Sequence, residues 1–384
     1  MATKESKNNF LKKTYIQMDF EKLLFPLTLI QYIIFSPKYY LCHNYIRPNS
    51  IFTNLLIFCV TVIVTLCFLY ISFQYLFAQQ VYFNDFLIFL YYFENITYAL
   101  GYLLNVIFLI VQSRVNVELI IRVQMIFNNL TINNRTIRTI LIANWIFCFL
   151  LLLFYCMNVY VQIFHGFTTY FSIVLSIFVL MPWDFNIVYA ARIIYLLRKQ
   201  TESWIRHFKD IVNVKNLREN DSLRSYRWQS IFKAYLSIID AYSACEKITE
   251  IPWFFFQIIY HVILTFVQFI SNVQTLIQFK GVNGILILCV MWTIKHAILL
   301  ALLSLECEQL HTCLKNSQVA CLTTAYQNVP VPGRQVCKRL RKESQKQIQP
   351  ITAKGFFQVN AALPLHLFSI IATYTVVLLQ FNFL

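Results

Sequence analysis

Charged side chains are scarce in this sequence, at 13% of residues, where soluble domains carry about a quarter. With 58% of residues hydrophobic, that shortage excludes a purely water-soluble protein. There is too little polar surface to cover so much apolar volume, and lipid is the solvent for most of the chain. Glycine and proline are few, 6 and 9, which lets apolar runs continue as unbroken helices and leaves little room for disorder. No short apolar core followed by a small-residue cleavage site opens residues 1–50, so no secretory signal is read there and the amino terminus is expected to stay in the cytosol. No hydrolase or transferase constellation stands at a working spacing; the chain is read as a non-enzyme that needs no cofactor.

Cysteine, by contrast, is not scarce, at 11 residues. None falls in a connection expected to face the outside, so no structural disulfide is expected. Cys307, His311 and Cys313 lie close together, yet their spacing matches no common zinc site and no fourth ligand is evident. They are read as free thiols near a helix end, and no metal is expected.

What fills the chain is aromatic and aliphatic. Phe (36) and Tyr (23) together outnumber the 32 Lys and Arg. A spanning helix needs about 20 mostly apolar residues at ~1.5 Å each to cross ~30 Å of hydrocarbon. Seven such stretches are read, at residues 51–77, 83–111, 140–164, 168–196, 251–279, 284–305 and 360–384. Residues 23–35 are apolar too, but 13 residues containing Pro26 suit an interfacial or re-entrant segment rather than a span.

Orientation follows from where the cations lie, because positive side chains resist translocation. Residues 1–50, 112–139, 192–250 and 306–359 hold 7, 4, 11 and 8 Lys or Arg, which is 30 of the 32. All four segments are therefore expected in the cytosol. Connections 78–82 and 165–167 carry none, 280–283 carries only Lys280, and the last cation, Lys295, sits inside the sixth span. The formal net charge of +15 is thus mostly a positive-inside signature, and nucleic acid is not a partner. The fold class read from these patterns is an all-α polytopic membrane protein of seven transmembrane helices, with a cytosolic amino terminus and an extracellular carboxyl terminus.

Sequons stand at Asn95, Asn129, Asn134 and Asn220. The first lies within a span and the others in cytosolic loops, so none is expected to carry sugar. Between residues 192 and 250 apolar residues recur at helical spacing (Trp204, Phe208, Ile211, then Trp228, Ile231, Phe232, Tyr235, Ile238), which predicts that spans four and five continue as helices past the membrane. The 306–359 connection reads as less regular: Pro330, Pro332 and Gly333 mark a loop, and Lys338, Arg339, Arg341 and Lys342 form a basic run suited to anionic inner-leaflet lipid.

The last span carries Thr373, Tyr374, Thr375, Val376, Val377, Leu378, Leu379, Gln380 and Phe381, followed by Asn382, Phe383 and Leu384. This run resembles the signature of a Thr-Tyr pair, five apolar residues and a Gln-Phe pair that ends the insect gustatory receptors. Here one Thr and four aliphatics fill the five middle positions. Seven spans, a cytosolic amino terminus and short outer loops fit that family over nearly the whole length. The resemblance implies a tetrameric, homomeric or heteromeric, ligand-gated cation channel in the plasma membrane of chemosensory neurons, opened by a small tastant. It also implies that the last helix of each subunit lines the pore. It divides the chain into a cytosolic segment (1–50), spans one to six with the ligand-binding region and cytosolic helical extensions (51–305), a cytosolic loop and anchor region (306–359), and the pore helix (360–384). On that helix Val377, Gln380, Phe381 and Leu384 follow spacings of three and four and share a face. Four such faces would form apolar rings that block ions by dewetting and one ring of amides that replaces part of a cation's hydration shell. In the sugar-sensing branch the residue after the Thr-Tyr pair is often Glu; Thr375 stands here, which counts against sugar, and a mainly aromatic and apolar lining suits amphipathic plant compounds, which taste bitter.

Ionisable residues inside spans are functional suspects by default. Glu94 and Lys295 both lie about 11 residues, ~17 Å, inside the outer ends of spans two and six, which suggests a pair. Around them at helical spacing stand Tyr91, Asn95 and Tyr98, and Trp292 and His296. Two readings are open: an aromatic-lined ligand pocket with convergent polar groups, or an interhelical ion pair that serves assembly. Asp184, beside Trp183 in span four, is a deeper suspect, suited either to coupling the ligand region to the cytosolic anchor or to ligand contact. Two rival classes are weighed. An odorant-receptor-type channel shares the architecture and is separated only by the last-helix motif. A G-protein-coupled receptor would place the amino terminus outside and export 30 of 32 cations, against the positive-inside rule.

Overall fold

The computed structural model describes residues 14–42, 44–79, 85–130, 134–164, 170–213, 221–250, 284–326, 331–352 and 357–383. Nine helices lie among the described residues. They are α1 (Met18–Ile33), α2 (Ile51–Gln79), α3 (Asp85–Asn129), α4 (Asn134–Phe164), α5 (Tyr170–Asn213), α6 (Asp221–Glu250), α7 (Gly284–Tyr326), α8 (Val331–Gln347) and α9 (Leu363–Phe383). Three short strands, β1 (Thr14–Tyr15), β2 (Tyr40–Cys42) and β3 (Tyr45–Arg47), make an antiparallel sheet in the order β1-β3-β2, with Thr14 opposite Ile46 and Tyr40 opposite Arg47.

Five of these helices are long and apolar enough to cross a membrane, and Leu363–Thr373 in α9 is a shorter apolar run. The expected fifth span, 251–279, lies outside the described residues. The outward faces of α2 and α4 are built from Ile51, Phe52, Leu55, Ile63 and Leu66, and from Ile142, Ile146, Phe149 and Leu153, all exposed. In water that arrangement would be prohibitive; against lipid tails it has no cost.

Helices α3, α5 and α7 contain 45, 44 and 43 residues, about 65 Å each, roughly twice the hydrocarbon thickness. Their second halves project from the end of the bundle where the Lys and Arg residues concentrate, here called the basic end. The projection of α5 matches its apolar spacing. The continuation of α7 beyond residue 305 corrects the less regular connection read from sequence there, and α3 likewise continues as helix beyond residue 111. Between these projections α6 and α8 pack, α6 against α3 and α5, and α8 against α6 and α7.

An aromatic core holds the projecting part together. Trp204 and Phe208 of α5 are fully buried and stacked at 5.0 Å, with Tyr235 of α6 4.6 Å from Trp204. The Trp204 indole donates to the Ile231 carbonyl at 3.0 Å, and the Tyr235 hydroxyl lies 3.0 Å from Ser317 Oγ on α7. Burial raises the Tyr235 phenol to about 12, so it stays a neutral hydrogen-bonding group. Helix α8 begins at the Pro332-Gly333 pair read as a loop; proline fits the first helical turn, where no backbone donor is needed. Cys337, Leu340 and Ser344 form its buried stripe, and Lys338, Arg339, Arg341 and Lys342 face outward.

Helix α1 stops at Phe35, whose φ of 51° is a left-handed value more often left to glycine. The Ser36 N–H reaches back to the Gln31 carbonyl at 2.8 Å and closes the helix. Sixteen residues long, α1 is short for a span, as the sequence predicts. It lies against α4.

Candidate functional site

A buried carboxylate is the electrostatic centre of the bundle. In α5, Pro182 removes one backbone donor and is followed by Trp183 and Asp184, each 1% exposed. A lone ionised carboxylate at such a place costs on the order of several kcal/mol in lost hydration. Two other helices supply partners. Lys295 of α7 donates from Nζ to Asp184 Oδ2 at 2.6 Å, and the Tyr155 hydroxyl of α4 donates to the same oxygen at 2.7 Å. Three helices therefore meet at one carboxylate oxygen.

Aromatic rings enclose the cation. Lys295 Nζ lies 3.6 Å from the ring centroid of Trp292, 5.3 Å from Phe154 and 5.8 Å from Tyr155. The indole also meets Phe154 edge-on at 5.5 Å and tilts over His296 at 5.9 Å. Desolvated cation–π contacts reach about 2 kcal/mol, so the rings share with Asp184 the work of holding a charge out of water. The chemistry on offer is ring faces for an apolar body, with an acid, an ammonium and an imidazole for a polar end, which is the usual make-up of a small-molecule site.

The pairing of Lys295 with Glu94 expected from matched depth is corrected: the acid that meets Lys295 is Asp184. Glu94 instead accepts from Tyr98 one turn along α3 at 2.7 Å, and Asn95 Nδ2 donates to the Tyr91 carbonyl at 2.9 Å. Tyr91, Glu94, Asn95 and Tyr98 thus stand in a row along α3. Counting residues gives a height along a helix but not its rotation. Helix α7 packs on α5 and α4, so the face carrying Trp292, Lys295 and His296 turns toward them. The lysine stem then carries the ammonium to an acid at a different depth.

Sequence reasoning missed several participants. Tyr155 was hidden in an apolar run. Asn186 and Asn105, both buried, join α5 to α3 through an amide hydrogen bond of 2.6 Å; isolated amides within apolar spans were the available signal. One step nearer the basic end, Arg192 donates from Nε to Asn144 Oδ1 at 2.7 Å and lies 4.4 Å from the Tyr195 ring centroid. Asn144 in turn donates from Nδ2 to the Leu23 carbonyl at 2.9 Å, and the Cys148 thiol donates to the Pro26 carbonyl at 3.7 Å. These contacts dock α1, around its proline, onto α4 and α5.

Helix α9 packs against α7. Val377 is 39% exposed and its neighbour Val376 is 54% exposed, while Gln380 is exposed on the same stretch. Thr373 bonds back to the Ser369 carbonyl at 2.9 Å. The side chains of Tyr374 and Phe381, and Leu384 altogether, lie outside the described residues. At its start α9 is held by Glu308 of α7, whose Oε2 accepts from the Ala361 N–H at 2.6 Å.

Comparison with known proteins completes this picture. A family model described as 7tm chemosensory receptor matches residues 43–384. Among solved structures, the fold is similar to that of the insect olfactory receptor OR5 from Machilis hrabei in complex with eugenol. The TM-score is 0.68 at 14% identity, covering 94% of this chain and 99% of that one. A second structure of the same receptor gives a TM-score of 0.65 at 14% identity, covering 94% and 98%. Comparison with curated proteins gives no match.

Proposed function

Because the chain belongs to the 7tm chemosensory receptor family, we propose that it is a gustatory-type receptor: a tetrameric, ligand-gated, non-selective cation channel opened by a small amphipathic tastant of the bitter class. Its place is the plasma membrane of chemosensory neurons, with the basic end in the cytosol. The observation that carries the channel reading is α9, an apolar helix bearing the Thr373-to-Phe381 motif with the Gln380 amide exposed. An amide facing lipid is unfavourable. Around a four-fold axis the same amide meets ions and water, and Val377, Phe381 and Leu384 supply apolar rings that close the path by dewetting.

The ligand region in this reading is the aromatic enclosure of Trp292, Lys295 and His296, with Tyr91, Glu94, Asn95 and Tyr98 of α3 as further candidate ligand contacts. Asp184 and Trp183 transmit the change, because Asp184 sits on the helix that runs on to the basic end. A ligand that alters the Asp184–Lys295 contact moves α7 relative to α5, and α7 holds the start of α9 through Glu308. Extensions of α5 and α7, with α6 and α8, form the anchor through which subunits assemble.

The test is expression of the full chain in cells, alone and with related receptors, and current recording during exposure to bitter compounds, sugars and volatile odorants. The reading requires a cation current evoked by a bitter compound and independent of G proteins. Responses confined to volatiles would assign the odorant type, and responses abolished by blocking G proteins would overturn the channel.

A further inference from the structure

A groove of about 1190 Å³ opens at the basic end, between the start of α4, the projecting halves of α5 and α7, and Ala361 ahead of α9. Five cations line it: Arg135 from α4, and Arg198, Lys199, Arg206 and Lys209 from α5. Only two lining residues, Glu202 and Glu308, are acids. The α5 cations recur at helical spacing along one face. They are not uniformly neutralised within the fold. Arg198 contacts Glu306 at 3.2 Å and Glu202 at 3.5 Å, and Lys199 contacts Glu202 at 2.8 Å, whereas Arg206 and Lys209 extend the stripe as exposed side chains. At the membrane-proximal edge Arg192, Arg198 and Lys199 crowd the single ring of Tyr195 at 4.4, 4.8 and 5.6 Å. Like charges gathered on one helix face repel; a ligand of opposite charge relieves that repulsion.

We infer that this groove is a binding site for a compact polyanion carrying two or more phosphate monoesters, of the kind borne by phosphorylated inositol headgroups of the inner leaflet. The inference rests on the orientation proposed above, which puts the groove at the cytosolic face where such groups occur. Arginines and lysines spaced along a cleft suit a multiply charged phosphate better than a single carboxylate or a flat anionic surface, because each phosphate collects its own charge-assisted hydrogen bonds. The volume holds a headgroup rather than an isolated ion. The position gives the site a consequence. Its wall includes Glu308 and Ala361, the contact that fixes the start of α9, so neutralising the surrounding cations changes the field on the carboxylate that holds the pore helix.

The experiment uses detergent-purified full-length protein and labelled inositol trisphosphate as the probe, with competition by vesicles of phosphatidylcholine containing phosphatidylinositol bisphosphate or phosphatidylserine. The probe is expected to bind saturably. The double substitution R206Q/K209Q, at two exposed positions, is expected to weaken it by about tenfold for each charge-assisted hydrogen bond removed. K22Q/K233Q removes the same charge from exposed positions on α1 and α6 outside the groove and is expected to leave binding unchanged. Competition by bisphosphate vesicles at lower phosphate concentration than the free headgroup identifies a lipid source, and the reverse order identifies a soluble polyphosphate; both sustain the site. Equal losses in the two double variants, or equal competition by phosphatidylserine, would overturn it. Binding in detergent does not depend on orientation. A site that binds the purified protein but modulates current only from the outside would therefore count against the proposed orientation and not against the site.

Discussion

Replacing Asp184 by Asn keeps the size of the side chain and removes its charge, leaving the Lys295 ammonium, 7% exposed, without its counter-ion. Breaking one side of a buried ion pair costs about 3–5 kcal/mol in soluble proteins. Two features here reduce the loss. The Tyr155 hydroxyl can still donate to the new amide oxygen, and the rings of Trp292, Phe154 and Tyr155 continue to face the cation. Polar contacts within membranes also couple more weakly than in water-soluble folds, because the unfolded chain in lipid finds other partners. A destabilisation of about 2–3 kcal/mol is therefore expected for D184N, and a similar one for K295M, which strands the acid. The double variant D184L/K295M replaces the pair with apolar side chains of comparable size and is expected to recover most of the loss, with a coupling of about 2 kcal/mol. Titration of the purified chain in mixed micelles with SDS, followed by tryptophan fluorescence, reads these differences. E94Q serves as the contrast: the amide still accepts from Tyr98, and the coupling between positions 94 and 295 is expected to stay within about 0.5 kcal/mol. Additive losses in the Asp184 and Lys295 variants, or a positive coupling between Glu94 and Lys295 instead, would refute the assignment of the pair.

Other consequences follow from the same geometry. Asn144→Ala removes the link between Arg192 and the Leu23 carbonyl and is expected to cost about 1–3 kcal/mol; limited proteolysis should then cut near α1 first, and unchanged cleavage would contradict the docking role. Lys38, buried in the segment between α1 and β2 and facing the Tyr189 ring of α5 at 5.0 Å, is pushed down by desolvation to about 7 from 10.5. The unfolded chain holds more protons there than the folded one above about pH 7, so stability rises with pH from that point up toward the unfolded value. K38M is expected to flatten that rise, and an identical pH profile in K38M would remove Lys38 as its source. Asn129 and Asn134, at the basic end, are expected to remain without sugar in cells, while an epitope added after Leu384 is reached by antibody without permeabilisation. Glycan on either asparagine would invert the orientation.

Five of the seven spans coincide with helices long and apolar enough to cross a membrane, and they were legible because hydropathy averaged over about 20 residues is a bulk property that needs no partner. The projection of α5 was legible for a related reason: Trp204, Phe208 and Ile211 repeat on one face while Arg206, Lys209 and Asp210 fall on the other. The projections of α3 and α7 were not, because Glu118, Arg122 and Gln124, or Glu306, Glu308 and Lys315, interrupt the apolar run. Their buried stripes (Val117, Ile120, Val123 and Ile126 on α3; Leu303, Cys307, Leu310 and Leu314 on α7) are aliphatic and thiol side chains, without the large buried aromatics that mark α5. Pro332 and Gly333 misled in the usual way of residues that mark both loops and helix starts. At the candidate site, the polar residues inside spans could be named and their partners could not. Asp184, Lys295, Trp292 and His296 were identifiable as polar or aromatic groups inside spans, but which acid Lys295 meets depends on helix rotation and on the reach of its side chain. Neither property is written in one-dimensional spacing, and Tyr155 could not be told from any other span aromatic until three helices were seen to meet.

The central claim is that α9 lines an ion pathway, and the most direct test is the accessibility of Gln380 in the open state. Val376 and Gln380 are both exposed in the single chain, so exposure does not choose between lipid and pore, whereas a charged, membrane-impermeant thiol reagent does. In the variant Gln380→Cys, ligand-evoked current is predicted to fall irreversibly when reagent and ligand are applied together, with Val376→Cys and the unsubstituted protein unaffected. Block of Val376→Cys with Gln380→Cys spared, given normal ligand responses in both, would place the pathway elsewhere and contradict the account.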